Sequence, residues 1–452
     1  MGRLSIFAAA VGIAASAAGL LSQSAATATI YEGGRLIVGD TSAPIDNGAF
    51  VVQNGRITAI GRKGAVAAPA NAAHVDLTGK TVMPTLVNVH VHIGYEGYTT
   101  WGADNYTSTN VLDHLRREAF YGVGVTQSVG SSPTDASIQF QKDQAAGTFP
   151  IASRFLFMPG MAPPHGGPDA ILMKGTDALH AVNEVSTAAE ARAAVRSMAA
   201  KQLKSVKIWV DDRRGTYPKM TPEVYNAIIA EAHAHGMMVN AHAIALPDQK
   251  AVVSAGIDVL VHTVGAEKID AEYVAIVKSK KPYWTTVIGL GDRSEVCNHD
   301  SFVDQTYPPK ALEAIRAESC APRPDNTARE EILSFNVKQM VASGARLVLG
   351  TDAGIAARHA FGWADHHEIA RWVDLGVSPA EAIVAATSRP AELLGQKDLG
   401  TLATGKSASF IVLEANPLDN IRNMRRIASV YLAGAKLDRE AMAAVFTKTG
   451  TR

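Results

Sequence analysis

Over residues 81–395, short apolar runs alternate with stretches whose apolar residues recur every three or four positions. Apolar or β-branched runs bounded by glycine and polar turns read as buried strands, and the wider period reads as amphipathic helix. The strand-like runs are VMPTLVNVHVHI, GVTQSVG, SRFLFMPG, SVKIWVDD, MMVNAHA, VLVHT, YWTTVIGL and RLVLGTDAG. Helices are expected between most of them, in DHLRREAFYG, the Ala-rich stretch 187–202, PEVYNAIIAEAHAHG, AEYVAIVKSK and NTAREEILSFNVKQMVASG, the last closing on a glycine stop. Eight strands with crossover helices predict an α/β fold, a (β/α)8 TIM barrel over residues 81–395. An open doubly wound sheet that binds a dinucleotide is disfavoured, because no Gly-x-Gly-x-x-Gly follows the first strand.

The two ends of the chain follow a different pattern. ATIYEGGRLIV and NGAFVVQNGRITAIGR read as short strands, with Asn-Gly at 47–48 and 54–55 as turn signals. GTLATGKSASFIVLEANPL and RIASVYLAGAKL supply two or three more strands near the C-terminus. Residues 29–80 and 396–440 are therefore expected to build one small β-sandwich domain together. Before them, residues 1–28 hold a single charge, Arg3, an Ala-rich apolar run over 4–21, and the small residues Ala26, Thr27 and Ala28. This reads as a secretory signal peptide, with export to a periplasmic or secreted location, rather than as a membrane anchor.

With 452 residues and 47% hydrophobic content the chain is long enough for a large core and a smaller domain. Lys plus Arg equals Asp plus Glu at 43 each, and no basic or acidic block stands out, which argues against nucleic acid or an anionic membrane surface as partner. A small-molecule substrate fits better; a homo-oligomer stays open. In an exported protein the two cysteines, Cys297 and Cys320, are expected to close a disulfide worth about 3 kcal/mol in the loop-entropy picture. They flank a loop-rich insertion over 291–324, long enough to act as a lid.

The candidate chemistry starts at VNVHVHIG, residues 87–94. On an extended strand His90 and His92 point to one face and can share a metal ion. A second His-x-His, His233 and His235, falls on a predicted helix, where a two-residue step turns the rings to opposite sides. In a (β/α)8 barrel active sites gather where strands end. Lys207, His242, His262 and Asp352 each lie near the end of a predicted strand, and all six polar residues would project toward one mouth.

These pieces resemble the amidohydrolase superfamily of metal-dependent hydrolases: VMPTLVNVHVH for the first histidines, VKI for the lysine, NAH and LVH for the later histidines, GTDAG for the aspartate, and GTLATGKSASFIVL for closing strands. The likeness is to its prolidase-like branch, in which the lysine of strand four is carboxylated and bridges two metals. Thr85, Asn88 and Ser409 stand where that branch often has Gly, Asp and Asp. The resemblance implies two divalent cations, Zn2+ first among them. His90, His92 and Asp352 would hold one and His242 and His262 the other, with Lys207 bridging them as a carbamate made with carbon dioxide. The carry-over is physically consistent: a protonated lysine beside two dications would be repelled, whereas a carbamate is an anion with two donor oxygens. A water shared between the cations would be acidified toward hydroxide, and Asp352, with Lys207, would count as catalytic. Lys207 as a Schiff-base or ion-paired lysine, and Asp352 as a helix cap, are the alternatives.

For the substrate, Arg213 and Arg214 follow strand four and could pair a carboxylate, or merely form a solvated turn. His165 and His359 sit in loops expected to overhang the metals. Tyr95, with Tyr98, Trp101 and Tyr106, could wall an apolar group. His366 and His367 open a helix and read as structural. The expected activity is hydrolysis of an amide bond, in a dipeptide or N-acyl amino acid. The alternative is a mononuclear deaminase or a cyclic-amide or lactone hydrolase on the same scaffold.

Overall fold

A computed structural model of the protein describes residues 28–98, 100–167, 179–292, 294–298, 300–322, 325–356 and 359–448. Apart from Ala28, the expected signal peptide lies outside them, as do Pro324 of the insertion and parts of the loops after His165 and before His359. In chain order the strands are β1 (Thr29–Leu36), β2 (Ile45–Gln53), β3 (Arg56–Arg62), β4 (Ala73–Asp76), β5 (Thr81–Pro84), β6 (Leu86–Val91), β7 (Val123–Val129), β8 (Arg154–Met158) and β9 (Gly160–Ala162). They continue as β10 (Val182–Glu184), β11 (Ser205–Trp209), β12 (Met238–His242), β13 (Val259–Val261), β14 (Tyr283–Thr285), β15 (Arg346–Leu347), β16 (Phe410–Leu413), β17 (Ile427–Leu432) and β18 (Ala435–Lys436).

Both chain ends meet in one sheet of order β18-β17-β16-β5-β1-β2-β3, with β4 beside β1. Asn54 and Gly55 take φ of 52° and 73°, the positive values a tight hairpin between β2 and β3 requires. The other Asn-Gly, at 47–48, lies inside β2 and coincides with shifts in the β1–β2 register, so it marks an irregularity instead of a turn. All eight strands of the two chain ends belong to one hydrogen-bonded sheet, and it curls. Phe50 on β2 and Phe410 on β16 are three strands apart, about 14 Å on a flat sheet, yet their rings are 5.0 Å apart. Tyr31 and Tyr431, also three strands apart, meet at 5.5 Å. The sheet bends round these four aromatic rings, and burying them together with their aliphatic neighbours removes a large apolar area from water.

The parallel strands form sheets of order β6-β7-β8 and β10-β9-β11-β12-β13-β14-β15. Pro159, which has no N–H, separates β8 from β9; its carbonyl accepts from Lys207 N at 2.9 Å. At the far edge the run after β15 returns to β6: Val89 N donates to Leu349 O at 2.8 Å, Thr351 N to His90 O at 2.9 Å and His92 N to Ala353 O at 2.7 Å. β6, β7 and β11 are buried along their whole length, the mark of parallel strands covered on both faces. One predicted strand divides in two. VMPTLVNVHVHI gives β5, which pairs with β16 in the terminal sheet, and β6, with Thr85 between them.

The predicted helices are present as Ser108–Phe120, Ala188–Ala200, Pro222–Ala234, Ala271–Lys280 and Thr327–Ala342. Thr187 and Glu190 close a capping box on the second. In the insertion, Cys297 and Cys320 form a disulfide across 23 residues. The segment is tied down by Tyr121, whose hydroxyl donates to Phe302 O at 2.6 Å, and by Arg425, which donates to Asp300 at 2.9 Å. Among the described residues no helix is long and apolar enough to cross a membrane.

Candidate metal centre

Backbone geometry at the C-terminal ends of the parallel strands decides which side chains meet. GTDAG lies against β6 because its glycines leave room: a Cβ on Gly350 would sit 2.7 Å from His90 Cβ, and one on Gly354, where φ is +98°, would collide with the His92 carbonyl. Asp352 and His262 take left-handed φ of 59° and 82°. Such values are uncommon for residues with a Cβ and recur at functional sites. Asn88 fixes the approach from below, accepting from His90 N at 2.9 Å and donating to Thr351 Oγ1 at 3.1 Å.

The side chains then converge on one carboxylate. Asp352 Oδ1 is 2.7 Å from His90 Nε2 and 3.2 Å from His92 Nε2, while Oδ2 is 3.9 Å from His262 Nε2. His262 Nε2 in turn lies 2.8 Å from His242 Nδ1. Lys207 is 1% exposed. Its ammonium sits close enough to act electrostatically on His90, His242 and His262. Burial, helped by that cation, holds His90 down at about 3. Burial likewise brings His242 to about 4. It also takes His262, with its neighbour His242, well below the ordinary imidazole value. For Asp352 burial pushes upward, but the facing histidines outweigh it and keep the carboxyl well below the usual range. Neutral imidazoles beside an ionised carboxylate are the forms that bind a cation.

His90, His92 and Asp352 each offer a ligand atom within 4.8 Å of the others and could hold a metal ion. Two ring nitrogens aimed at one carboxylate oxygen fit a nitrogen–oxygen cation site, in which the cation takes the place of the bridging protons. The other sequence-predicted residues fall at varied distances from this chemistry. Arg213 donates from Nη1 to Asp211 Oδ2 at 2.9 Å and comes within 3.3 Å of His242 Nε2. Arg214, next to it, is exposed. His165 is 70% exposed in its side chain, beside Glu184. His359 is buried, and its Nε2 donates to Thr351 O at 2.6 Å. Tyr95 is buried with its hydroxyl donating to Ser131 O and its ring 5.4 Å from that of Tyr106. His233 and His235 take separate partners, Asp258 and Glu231. His366 donates to Tyr121 O, and His367 pairs with Glu295.

Two residues of the centre escape a reading of the sequence by motif. Ser131 Oγ is 2.9 Å from His92 Nδ1, and Asp211 Oδ2 is 2.9 Å from His242 Nε2. Strand alternation would have found Asp211, which shares the face of Lys207 at positions 207, 209 and 211. Ser131 follows the end of β7, the same strand-end position as the other members.

Known proteins give this geometry a place. A family model described as the amidohydrolase family matches residues 81–437. Enamidase of Eubacterium barkeri is 23% identical over 398 residues, 86% of each chain. Ochratoxinase of Aspergillus niger is 25% identical over 437 residues, covering 88% of this chain and 83% of its own. Among solved structures, a putative prolidase from Bifidobacterium longum superposes with a TM-score of 0.70 at 24% identity, over 93% of this chain and 99% of the other. With most of its length matched and a histidine–carboxylate cluster at its strand ends, the chain belongs to the amidohydrolase family of metal-dependent hydrolases.

Proposed function

We propose that this protein is a metal-dependent hydrolase of an amide carbon–nitrogen bond in a small molecule, a dipeptide or an N-acyl amino acid. The observation that carries the reading is the Asp352 carboxylate, buried between His90 and His92 on one oxygen and His262 on the other. The likeness to enamidase, ochratoxinase and a prolidase supports the bond type. In this reading the parallel sheets, with the hydrogen bonds that return the last strand to β6, are one (β/α)8 barrel flanked by the terminal sheet.

His90, His92 and Asp352 would hold one cation and His242 and His262 a second, with zinc the first to test. Bound there, divalent cations supply Lewis acidity and make water a competent nucleophile near neutral pH. Lys207 would bridge after its amine adds to carbon dioxide and loses a proton, becoming a carbamate anion. That change would replace a cation that two bound dications repel with an anionic ligand. Asp352 carries the proton from the attacking water to the leaving nitrogen, so that the amine departs neutral. The low carboxyl pKa favours the ionised, accepting form at the start of the cycle. The leader over residues 1–28 would place this activity outside the cytoplasm.

A second reading is a centre with one cation, and a specific observation favours it: among the described residues the group with metal-ligand spacing is His90, His92 and Asp352. Lys207 would then remain an amine. Elemental analysis of the purified protein, with a screen of dipeptides, N-acyl amino acids, cyclic amides and lactones, separates the two. Two metals per chain with amide cleavage support the first reading, one metal per chain supports the second, and a protein that takes up none sinks both.

A further inference from the structure

Asp211 is held at both oxygens. Oδ1 accepts from Arg213 N at 2.9 Å, and Oδ2 accepts from Arg213 Nη1 at 2.9 Å while lying 2.9 Å from His242 Nε2. An ionised carboxylate has no proton to give, so the contact with His242 requires the ring proton on Nε2. The other ring nitrogen, Nδ1, is then left with its lone pair. It is Nδ1 that faces His262 Nε2 at 2.8 Å. Arg213 Nη1 also approaches His242 Nε2, at 3.3 Å. Two donors cannot bond each other, and the guanidinium's shorter contact is to the carboxylate.

We infer that Asp211, braced by Arg213, is a positioning residue that locks His242 in the Nε2–H tautomer and so keeps Nδ1 open to a cation. The inference rests on the metal-centre reading above and adds to it a residue that acts through His242. Arg213 thereby becomes a brace within the protein, with one edge of its guanidinium committed to Asp211. Arg213 Nη2 also donates to Gly167 O at 3.4 Å, which continues the same bracing. Partners of this kind behind a ligating histidine typically govern 10–100-fold in metal affinity.

The test uses the full chain labelled with 15N-histidine, its His242→Gln variant for assignment, and the Asp211→Asn and Asp211→Glu variants. All are stripped with a chelator and titrated with Zn2+. Asparagine keeps the shape but can present either an oxygen or an N–H to Nε2, so it no longer dictates the tautomer. In the metal-free wild type His242 should show Nε2–H alone, and in Asp211→Asn a mixture. One zinc equivalent should weaken by about 10–100-fold in Asp211→Asn, with partial recovery in Asp211→Glu. A wild-type His242 protonated on Nδ1 overturns the inference without reference to any variant, as does an Asp211→Asn protein with unchanged tautomer and zinc affinity. If the wild type takes up no zinc at all, the proposed function falls while the tautomer comparison still decides this inference.

Discussion

The parallel body and the terminal sheet bury very different things. Among the described residues every buried Asp, Glu, His, Lys and Arg lies between His90 and Glu368, and none is on a strand of the terminal sheet. The sheet's core is Tyr31, Phe50, Phe410 and Tyr431 with aliphatic neighbours. Burying ionisable groups is costly unless each is paired, so a fold that confines them to one region has separated packing from chemistry. The terminal sheet is held by shape, and the strand ends hold a set of groups whose protonation matters.

The sharpest way to break this comparison is at Asp352. Asp352→Asn should lower kcat by about 10⁴-fold, the upper range for loss of a positioned proton carrier. The melting temperature of the metal-free variant should shift less than that of a terminal-sheet variant. A variant retaining a tenth of the activity would contradict the assignment. Next in size, Phe410→Ala, in the aromatic cluster, should cost about 3–5 kcal/mol in denaturant unfolding. Each molecule that remains folded should keep its metal and turnover; a proportional loss of both would mean that the two regions are not separable.

The smallest effect concerns pH. Asp365 is buried behind the centre, where Asn88 donates to it at 2.9 Å, and burial raises its carboxyl to about 7. A raised folded pKa contributes stability below the unfolded value that is lost as pH climbs through the folded one. For this group the loss runs from about pH 4 to about pH 7. Asp365→Asn lacks it, so the melting-temperature difference, variant minus wild type, should grow over that interval and level off above it. A difference that stays flat with pH would remove Asp365 from the titrating interior.

Much of this division was legible in the residues themselves. Short apolar runs bounded by glycine and polar turns announced the parallel strands, and GTDAG and VHVH announced where Asp352, His90 and His92 would meet. The join at Thr85 was hidden, because β5, Thr85 and β6 read as one strand-like stretch although its halves enter different sheets. The curl of the terminal sheet was hidden too, since it arises from aromatic rings distant in sequence. Asp211 was overlooked because, without its contacts, an aspartate at the polar end of the run SVKIWVDD looks like an ordinary solvated strand end.

The short link at Thr85 carries a practical consequence for anyone dissecting the molecule. β5 pairs with β1 from the N-terminal segment and with β16 from the C-terminal one, and only a single residue separates it from the strand that bears His90. Trimming either end would strip backbone partners from an edge tethered directly to the first histidine. Minimal fragments meant to isolate the hydrolase should therefore come out insoluble or misassembled, and the smallest workable unit is the one that keeps both flanks.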